Sequence, residues 1–440
     1  MTNQYFVAVI GAGPAGLFGA RELANKGARV VLFNRDIKPG GLAEYGIYPN
    51  KYTMKSGLRK QFRQVLEVPN LDYYGNITVG AQGDLTLDDL RALGFQAILV
   101  TVGAQGTKWL GLPGEDLEGV YHAKDVVYYY NHLPPFSQKS FHFGKRCAVI
   151  GAGNVMLDIT HFLTREKKVD EVIAVVRRGP AEVKFEKKEM EYVIDNLDIT
   201  ALDAEIQRVA PIMQAVHQDP EAARATILEA RPKALTKVSD TRFRFEFLAS
   251  PVRMIGDENG RLKQVELEDN ILVEANGDTK ARGTGHKHLL NVETVVFAIG
   301  DKVDESFGLP IEWNEFVKNQ NPRFPIDGIS YESPVEDVFV GGWSRQASTG
   351  LVGYARKDGT NASKAVWQYL QTKKPVEPDL KGLAERIKSL SKPVVVKDDV
   401  KKLEAVELAE AQKRGIEEFK FDNNDEMLQA MGLTVTEQTV

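Results

Sequence analysis

A glycine-rich turn that occurs twice is the feature that most constrains how this chain can fold. In the first copy, Gly11, Gly13 and Gly16 follow an apolar run at residues 5–10 and precede a helical pattern that extends to about residue 26. Strand, turn and helix in this order begin a dinucleotide-binding βαβ unit. There the first glycine permits the tight turn, the second lets a pyrophosphate approach the backbone, and the third lets helix and strand pack closely. The sequence therefore predicts a dinucleotide site at this turn, with a strand-to-helix turn that holds no ligand as the alternative.

The second copy of the turn follows the apolar run at residues 146–150. Gly151 and Gly153 keep the first two glycine positions, but Met156 occupies the third. A side chain there widens the gap between helix and strand, and methionine is larger than the small residue expected. The repeated pattern predicts an α/β protein with two Rossmann-like dinucleotide-binding domains, for which a chain of 440 residues has room.

Two apolar segments that end in glycine, residues 97–103 and 294–300, mark where the chain crosses between these domains. We predict that the second domain is inserted into the first. The predicted bounds are residues 1–103 and 336–440 for the first domain and 104–335 for the second, with a surface insertion near 211–237. The charged tail after Lys373, with an amphipathic segment at 404–421, is predicted to wrap over the first domain.

The residues that end the second strand of each unit indicate which dinucleotide binds there. An acidic residue that contacts the ribose is usual at this position, but the first unit carries Asn34, whose amide can still hydrogen-bond a hydroxyl. The second unit carries Arg177 and Arg178, which suit a 2′-phosphate and so favour NADP over NAD. The alternatives are that Asn34 only ends its strand and that both arginines are solvated.

Composition excludes several classes of function. The single cysteine, Cys147, rules out a disulfide framework, a Cys-x-x-Cys redox pair and a cysteine-ligated cluster within the chain, and its apolar setting predicts a buried thiol. The net charge of −5, without a large basic block, argues against nucleic-acid binding. No apolar run reaches bilayer length, and the N-terminus lacks the pattern of a secretory signal, so we expect a cytoplasmic protein without a membrane span.

A series of short motifs resembles the adrenodoxin reductase type of ferredoxin–NADP reductase. In chain order, the motifs are PGGLAEYGIYP at 39–49, YGNITVG at 74–80, LPGE at 112–115, GNVMLD at 153–158, RRGP at 177–180, GWSRQASTG at 342–350 and DNNDEML at 422–428. The resemblance covers most of the chain except the segment near 211–237. It implies two nested Rossmann-like domains of the glutathione reductase kind, the first for FAD and the second for NADP.

The resemblance also implies a role for individual residues. Cofactor contacts are expected from the first turn (Gly11, Gly13, Pro14, Ala15, Gly16), from Asn34, from the loop along the flavin (Gly41, Leu42, Tyr45, Gly46), from Gly103, from the segment against the flavin ring (Trp343, Gly350, Leu351, Val352), and from the NADP site (Gly151, Gly153, Asn154, Val155, Arg177, Arg178, Glu189). Asp158 matches a family carboxylate near the path between nicotinamide and partner. Lys51 stands close to the place of a histidine that the family often carries, which leaves a histidine-based role without its residue.

These residues predict an FAD-dependent oxidoreductase that transfers a hydride between NADPH and FAD, and single electrons to or from a ferredoxin-like or flavodoxin-like carrier. The cofactors carry this chemistry, so no acid, base, nucleophile or metal ligand is expected, with Asp158 as the one candidate for a catalytic side chain. The alternatives are an electron-input subunit like the small subunit of glutamate synthase, and a non-catalytic FAD-binding scaffold.

Two groups of basic residues are candidates for docking an acidic carrier. Lys55, Arg59 and Arg63 are spaced by four and share a predicted helix face with Lys60 beside them. The second group follows the arginine pair and consists of Lys184, Lys187 and Lys188. The alternative for each group is an ordinary solvated face.

Overall fold

The computed structural model describes residues 3–433, so the outermost ends of the predicted first domain, residues 1–2 and 434–440, lie outside the described part. In chain order the strands are β1 (Phe6–Ile10), β2 (Arg29–Phe33), β3 (Leu71–Tyr74), β4 (Ala97–Val100), β5 (Gly106–Thr107), β6 (Val120–His122), β7 (Arg146–Ile150), β8 (Glu171–Val176), β9 (Arg242–Phe247), β10 (Ala249–Gly256), β11 (Leu262–Ala275), β12 (Asp278–Asn291), β13 (Thr294–Phe297), β14 (Asp301–Lys302), β15 (Ile311–Glu312), β16 (Glu315–Phe316) and β17 (Val338–Val340). The α-helices are α1 (Pro14–Asn25), α2 (Leu42–Tyr45), α3 (Tyr52–Leu66), α4 (Leu87–Ala92), α5 (Ala123–Tyr130), α6 (Asn154–Phe162), α7 (Lys187–Met190), α8 (Ile199–Gln214), α9 (Pro220–Leu228), α10 (Val352–Leu370), α11 (Leu380–Lys388), α12 (Lys397–Arg414) and α13 (Asn424–Met431).

The first five-stranded sheet has the order β17-β4-β1-β2-β3, and all its neighbouring strands are parallel. All five residues of β1 are buried, as expected for a strand covered on both faces. Successive side chains of a strand point to opposite faces, so Val7 and Val9 join one core while Phe6, Ala8 and Ile10 join another. The sheet therefore separates two apolar layers.

A second parallel sheet has the order β6-β13-β7-β8-β9. Strands β10, β11 and β12 form an antiparallel sheet. Two pairs of two-residue strands, β5 with β14 and β15 with β16, form short antiparallel ladders. Two parallel five-stranded sheets, each containing a strand that leads into a glycine turn (β1 and β7), confirm the predicted α/β class with two Rossmann-like units.

The compact units of the structure differ from the predicted domain bounds at the second crossing and at Tyr128–Gln138, a segment predicted to lie in the second domain. Among the described residues, the first unit contains the chain up to Thr107, Tyr128–Gln138 and everything from Gly300 onward, and the second contains Lys108–Val127 and Lys139–Ile299. The chain thus returns to the first unit at Gly300 rather than at 336, because β14, directly after Gly300, pairs with β5 of the first unit. Insertion of one unit into the other matches the expected order.

The segment near 211–237 was expected to be a surface insertion; its first part belongs to a packed helix pair, whereas residues 231–237 are mostly exposed. Its start lies inside α8, which runs through Pro211, and it continues into α9. Met213 and Ile227 are fully buried, and α8 also packs on β9. The apolar spacing of this segment therefore serves the core of the second unit.

The tail after Lys373 belongs to the first unit, as the predicted wrap requires. The amphipathic segment expected at 404–421 is α12, which begins earlier, at Lys397, and ends where Gly415 adopts a φ of 65°. Val400 and Leu403 of this helix join the same core as Val7. Along residues 3–433, no helix combines the length and apolarity needed to cross a membrane.

Candidate dinucleotide-binding sites

The three glycines of the first turn differ in what surrounds them. Gly11 has a φ of 99°, and a Cβ there would lie 2.6 Å from the carbonyl oxygen of Thr101. A Cβ at Gly16 would lie 1.9 Å from the carbonyl oxygen of Gly11, so helix and turn touch through bare backbone. A Cβ at Gly13 would meet nothing within 4 Å. The outer two glycines therefore close the turn, and the middle one leaves its front open.

The open side of this turn fits a pyrophosphate. Gly13 is the N-cap residue of α1, is extended at φ −75° and ψ −179°, and has no side chain that could cap the helix. Pro14 follows at the first helical position, where a missing N–H costs nothing. The first N–H groups of a helix and the positive end of its dipole attract anions, so the turn suits the phosphates of a dinucleotide.

Asn34 is turned into the protein. Its Oδ1 accepts a hydrogen bond from the N–H of Ala12 at 3.0 Å, and its Nδ2 donates to the carbonyl oxygens of Asp36 at 2.8 Å and Lys38 at 3.0 Å. Both donor hydrogens are thus used on the backbone. This geometry favours a role in which Asn34 links the glycine turn to the loop after β2. For the predicted ribose contact, only the second lone pair of Oδ1 remains available as an acceptor.

A cavity of about 210 Å³ lies beside that loop in the first unit. Its lining includes Arg35 and Asp36 from the end of β2, Tyr45 from α2, and Asn76 after β3. Asp36 and Arg35 pair at 3.1 Å. A carboxylate is therefore present two residues after Asn34, the position at which the usual pattern places one.

The loop predicted to lie along the flavin returns to the first turn. Gly41 has a φ of 51°, and a Cβ on it would lie 3.1 Å from the Cα of Gly13. Leu42 and Tyr45 bound the one-turn helix α2, and Gly46 ends it, where a Cβ would lie 2.7 Å from the carbonyl oxygen of Leu42. Burial raises the pKa of Tyr45 well above its usual value. The structure thus brings this loop and the open glycine together.

The segment predicted to face the flavin ring also meets the first turn. A Cβ on Gly342 would lie 2.6 Å from the Cβ of Ala15, and one on Gly359 of α10 would lie 2.1 Å from the Ala15 carbonyl oxygen. The indole Nε1 of Trp343 donates to the carbonyl oxygen of Thr349 at 2.9 Å. Between Trp343 and α10, Gly350 has a φ of 72°, and Leu351 is 60% exposed directly before Val352, which begins α10. The N–H of Gly103 donates to Oγ of Ser344 at 2.9 Å, so Gly103 belongs to the same cluster.

Asp358 holds this segment in place, and the sequence analysis did not single it out. It is 5% exposed and accepts hydrogen bonds from the N–H of Gly342 at 2.7 Å and from Nη2 of Arg345 at 2.6 Å. The Tyr331 hydroxyl donates to the same carboxylate at 3.2 Å. The available signal was that Asp358 is the only acidic residue in the sequence of α10.

A second group that the sequence did not reveal is a buried ion network around α2. We define it as Lys38, Glu44, Lys55, Arg59, Glu407, Glu418 and Lys420. Its centre is Glu44, 2% exposed, whose two oxygens each accept from Arg59 at 2.6 Å. Burial by itself raises the pKa of Glu44, but Lys38, Lys420 and Arg59 together hold it well below its usual value. The network ties the predicted flavin loop to the C-terminal tail.

The same network corrects the expectation of a free basic stripe on α3. Lys55 is fully buried, with its Nζ 2.7 Å from Oε2 of Glu418. Arg59 is paired with Glu44 and Glu418, and Arg63 lies 2.6 Å from a carboxylate oxygen of Glu404. Three of the four cations are therefore neutralised by acidic groups, because the C-terminal tail packs on the face that the spacing of four defines. Lys60, the fourth, is exposed.

The second glycine turn has the same form as the first, although its third glycine is replaced. A Cβ on Gly151 would lie 2.4 Å from the carbonyl oxygen of Ala298, whereas one on Gly153 would meet nothing within 4 Å. Gly153 is the N-cap residue of α6 and carries no cap. Met156 is fully buried, so its side chain is accommodated in the core of the second unit without loss of the turn. This turn is also open for an anion.

The two arginines predicted to bind the adenosine end of NADP directly follow strand β8 of the second unit. Arg177 is exposed, whereas Arg178 is half-buried and donates to the carbonyl oxygen of Thr279 at 3.3 Å. The N–H of Glu186 donates to Oδ1 of Asn154 at 2.7 Å, and the N–H of Lys184 donates to the Ala152 carbonyl oxygen at 2.8 Å. The loop that follows the arginines therefore folds back onto the glycine turn. Lys184 joins the candidate site for this reason, a contact that sequence spacing does not reveal.

Three further residues predicted to contact NADP, Val155, Asp158 and Glu189, lie on helices of the second unit. Val155 is 43% exposed in the first turn of α6, and Asp158, one turn later, is partly buried. Glu189 is partly buried in the one-turn helix α7. Their contacts with a coenzyme stay predictions.

Cys147 is a buried free thiol, as the sequence predicted. Burial raises its pKa to about 12, so the thiol stays protonated and unreactive. Within residues 3–433, no group of three or more His, Cys, Asp and Glu side chains is placed to hold a metal ion.

Two Rossmann-like units, each with an uncapped helix behind an open glycine turn, define the class of this protein as a two-site dinucleotide-binding α/β protein. A family model described as pyridine nucleotide-disulphide oxidoreductase matches residues 5–342. The chain belongs to that family. Its single cysteine means that no redox-active disulfide can form within the chain.

Individual relatives cover nearly the whole chain. NADPH-ferredoxin reductase FprA of Mycobacterium leprae is 27% identical over 459 aligned positions, covering 96% of this chain and 98% of the relative. The mitochondrial NADPH:adrenodoxin oxidoreductase of Arabidopsis thaliana is 27% identical over 80% of this chain and 81% of its own. The solved structure of Mycobacterium tuberculosis FprA in complex with NADPH matches with a TM-score of 0.82 at 25% identity, covering 97% of this chain and 99% of that one. These matches confirm the resemblance inferred from the motifs.

Proposed function

We propose that the protein is an FAD-dependent ferredoxin–NADP reductase that works in the cytoplasm. The first glycine turn, the Gly41 loop and the Trp343 segment would hold FAD, and the second turn with Arg177, Arg178 and Lys184 would hold NADP. When bound, the two cofactors supply hydride exchange between nicotinamide and flavin and one-electron exchange with a carrier. A ferredoxin-like or flavodoxin-like protein would be that carrier, in keeping with the printed names of the relatives.

The single observation that carries this proposal is the arrangement at Gly13. The Gly41 loop and the Gly342 segment both meet the open glycine turn within one unit: a Cβ on Gly41 would lie 3.1 Å from the Cα of Gly13, and one on Gly342 would lie 2.6 Å from the Cβ of Ala15. Three segments separated along the chain thus surround one open helix N-terminus, as a pyrophosphate and a flavin require. The chain's own residues bind and orient, and the fixed backbone of the turn provides the electrostatic attraction.

Coenzyme choice would rest with the arginines. Arg177 presents an exposed guanidinium and Arg178 a half-buried one, which pairs with Asp278 at 3.8 Å. A 2′-phosphate matches such donors, whereas the free 2′-hydroxyl of NAD does not. Glu189 and Asp158 remain candidates for contacts with the adenosine and nicotinamide ends of the coenzyme.

An anaerobic titration of the purified protein tests this function. FAD should co-purify, and NADPH should bleach the flavin absorbance at much lower concentration than NADH. Ferricyanide should then be reduced with NADPH as donor, and a plant-type [2Fe–2S] ferredoxin should mediate reduction of cytochrome c. A bound flavin that NADPH does not bleach would identify a non-catalytic scaffold and overturn the proposal.

A further inference from the structure

Helix α10 carries an exposed charge of one sign. Its sequence contains three basic residues, Arg356, Lys357 and Lys364, and one acidic residue, Asp358. All three basic residues are exposed, whereas Asp358 is buried against Arg345. The solvent face of this helix is therefore positive, although the chain as a whole has a net charge of −5.

The two lysines lie on one stripe of α10. Lys357 and Lys364 are seven residues apart, which is close to two helical turns and places them about 10 Å apart along the axis. Lys364 donates to Oδ1 of its helix neighbour Asn361 at 3.1 Å, so its charge is not cancelled by an acid there. Thr360, between the two lysines, is uncharged.

Helix α1, which packs on α10, extends the positive surface. The guanidinium groups of Arg21 and Arg356 lie over the ring of Phe18, at 4.9 Å and 4.4 Å from its centre. Lys26 is exposed at the end of α1. The only acidic residue in the α1 sequence is Glu22, which pairs with Arg21 at 3.0 Å. We define the α1/α10 face as the set Arg21, Lys26, Arg356, Lys357 and Lys364.

This face adjoins the segment assigned to the flavin ring. Helix α10 begins at Val352, two residues after Gly350, and Lys357 lies about 7–8 Å further along its axis. Gly359, two residues after Lys357, faces the other way and touches Ala15 of the first glycine turn. The α1/α10 face is thus the outer side of the same helix pair whose inner side closes the candidate flavin site.

We propose that the α1/α10 face docks a small acidic one-electron carrier, an inference that rests on the proposed function and names its partner surface. The charge favours an acidic protein because four of the five cations are exposed, and the one acid among them, Glu22, pairs with the fifth, the partly buried Arg21. Such a patch raises the rate of encounter with an oppositely charged partner, and salt screens the attraction over about 8–10 Å. It takes the place of the stripe on α3, which the C-terminal tail covers.

A pair of matched double variants tests the proposal in the full FAD-loaded protein. In K357E/K364E, two exposed lysines seven residues apart on α10 reverse their charge. In the control K381E/K388E, two exposed lysines with the same spacing do so on α11. The net charge of the two variants is identical. A plant-type [2Fe–2S] ferredoxin is the carrier probe, ferricyanide is the small acceptor, and phosphatidylserine vesicles test for membrane binding.

The expected result is a rise of about tenfold or more in the KM for ferredoxin at low salt for K357E/K364E, with a flatter salt dependence. Ferricyanide reduction should stay unchanged, and the control should resemble the unaltered protein. Equal ferredoxin kinetics for both variants would overturn the proposal. So would vesicle binding that K357E/K364E alone abolishes while ferredoxin kinetics stay normal, because the face would then serve a membrane.

The proposed function can fail separately. If NADPH does not bleach the flavin, or ferricyanide is not reduced, the oxidoreductase assignment is wrong. If both reactions proceed but ferredoxin is not reduced by the unaltered protein, the hydride half of the function stands, and the carrier and its docking face are both overturned.

Discussion

Replacement of Glu44 by glutamine tests whether the buried ion network holds the predicted flavin loop. Glu44 accepts two hydrogen bonds from Arg59 and lies 3.3 Å from the Nζ atoms of both Lys38 and Lys420. Lys38 and Lys420 are each 3% exposed at the side chain. Glutamine keeps the shape but removes the charge, so these cations lose a shared partner in a site that water hardly reaches.

The expected cost in stability is large. Breaking a buried ion pair by removing one partner typically costs about 3–5 kcal/mol, because the remaining charge is left uncompensated. The network of four cations and three carboxylates becomes one of four and two. Helix α2 has only four residues and cannot persist without such anchors, so the loss should appear at the Gly41 loop as well.

The assay combines stability with cofactor retention. Thermal and urea unfolding of E44Q should show the loss, and FAD should dissociate more readily than from the unaltered protein. In E44Q/K420M, one cation is removed together with the carboxylate, and part of the lost stability should return. E410Q, which removes a half-buried carboxylate that pairs with the exposed Arg414 on α12, serves as the control and should leave both readouts unchanged.

The pH dependence gives an independent check. The folded pKa of Glu44 lies below its unfolded value, so its contribution is fully present above the unfolded pKa of about 4.3 and is lost as pH falls through the folded pKa. E44Q should therefore show a weaker loss of stability on acidification. A cost under about 1 kcal/mol, as for an exposed pair, would refute the reasoning that burial makes this network strong.

Three further outcomes are expected. Gly13→Asp should fold, because a Cβ there meets nothing within 4 Å, yet purify without flavin; a normal flavin content would place the site elsewhere. Gly359→Ala should lower stability by about 1–3 kcal/mol in a thermal melt, because its Cβ would lie 2.1 Å from the Ala15 carbonyl oxygen, and an unchanged melting temperature would contradict the close packing of α1 on α10. Arg177→Ala and Arg178→Ala should each raise the KM for NADPH about tenfold and leave that for NADH nearly unchanged, since a charged hydrogen bond contributes about 1.5–3 kcal/mol; equal losses with both coenzymes would make the arginines structural.

The sequence by itself determined the two glycine turns and the strands and helices that flank them. A positive φ at Gly11 and a backbone contact at Gly16 can be met only by glycine, so the local pattern carries the local geometry. The apolar runs also determined the sheets, because a strand buried on both faces reads as continuous hydrophobic sequence. The burial of Cys147 followed for the same reason.

Only the tertiary structure decided which polar groups are free. Lys55 and Glu418 are 363 residues apart in sequence, and helical spacing shows which residues share a face but not what covers that face. Asn34 points inward because the backbone groups of Ala12, Asp36 and Lys38 hydrogen-bond with its side chain. The chain returns to the first unit at Gly300 because β14 pairs with β5. Short-range sterics are written into neighbouring residues, whereas charge pairing and burial depend on segments that meet only after the chain has folded.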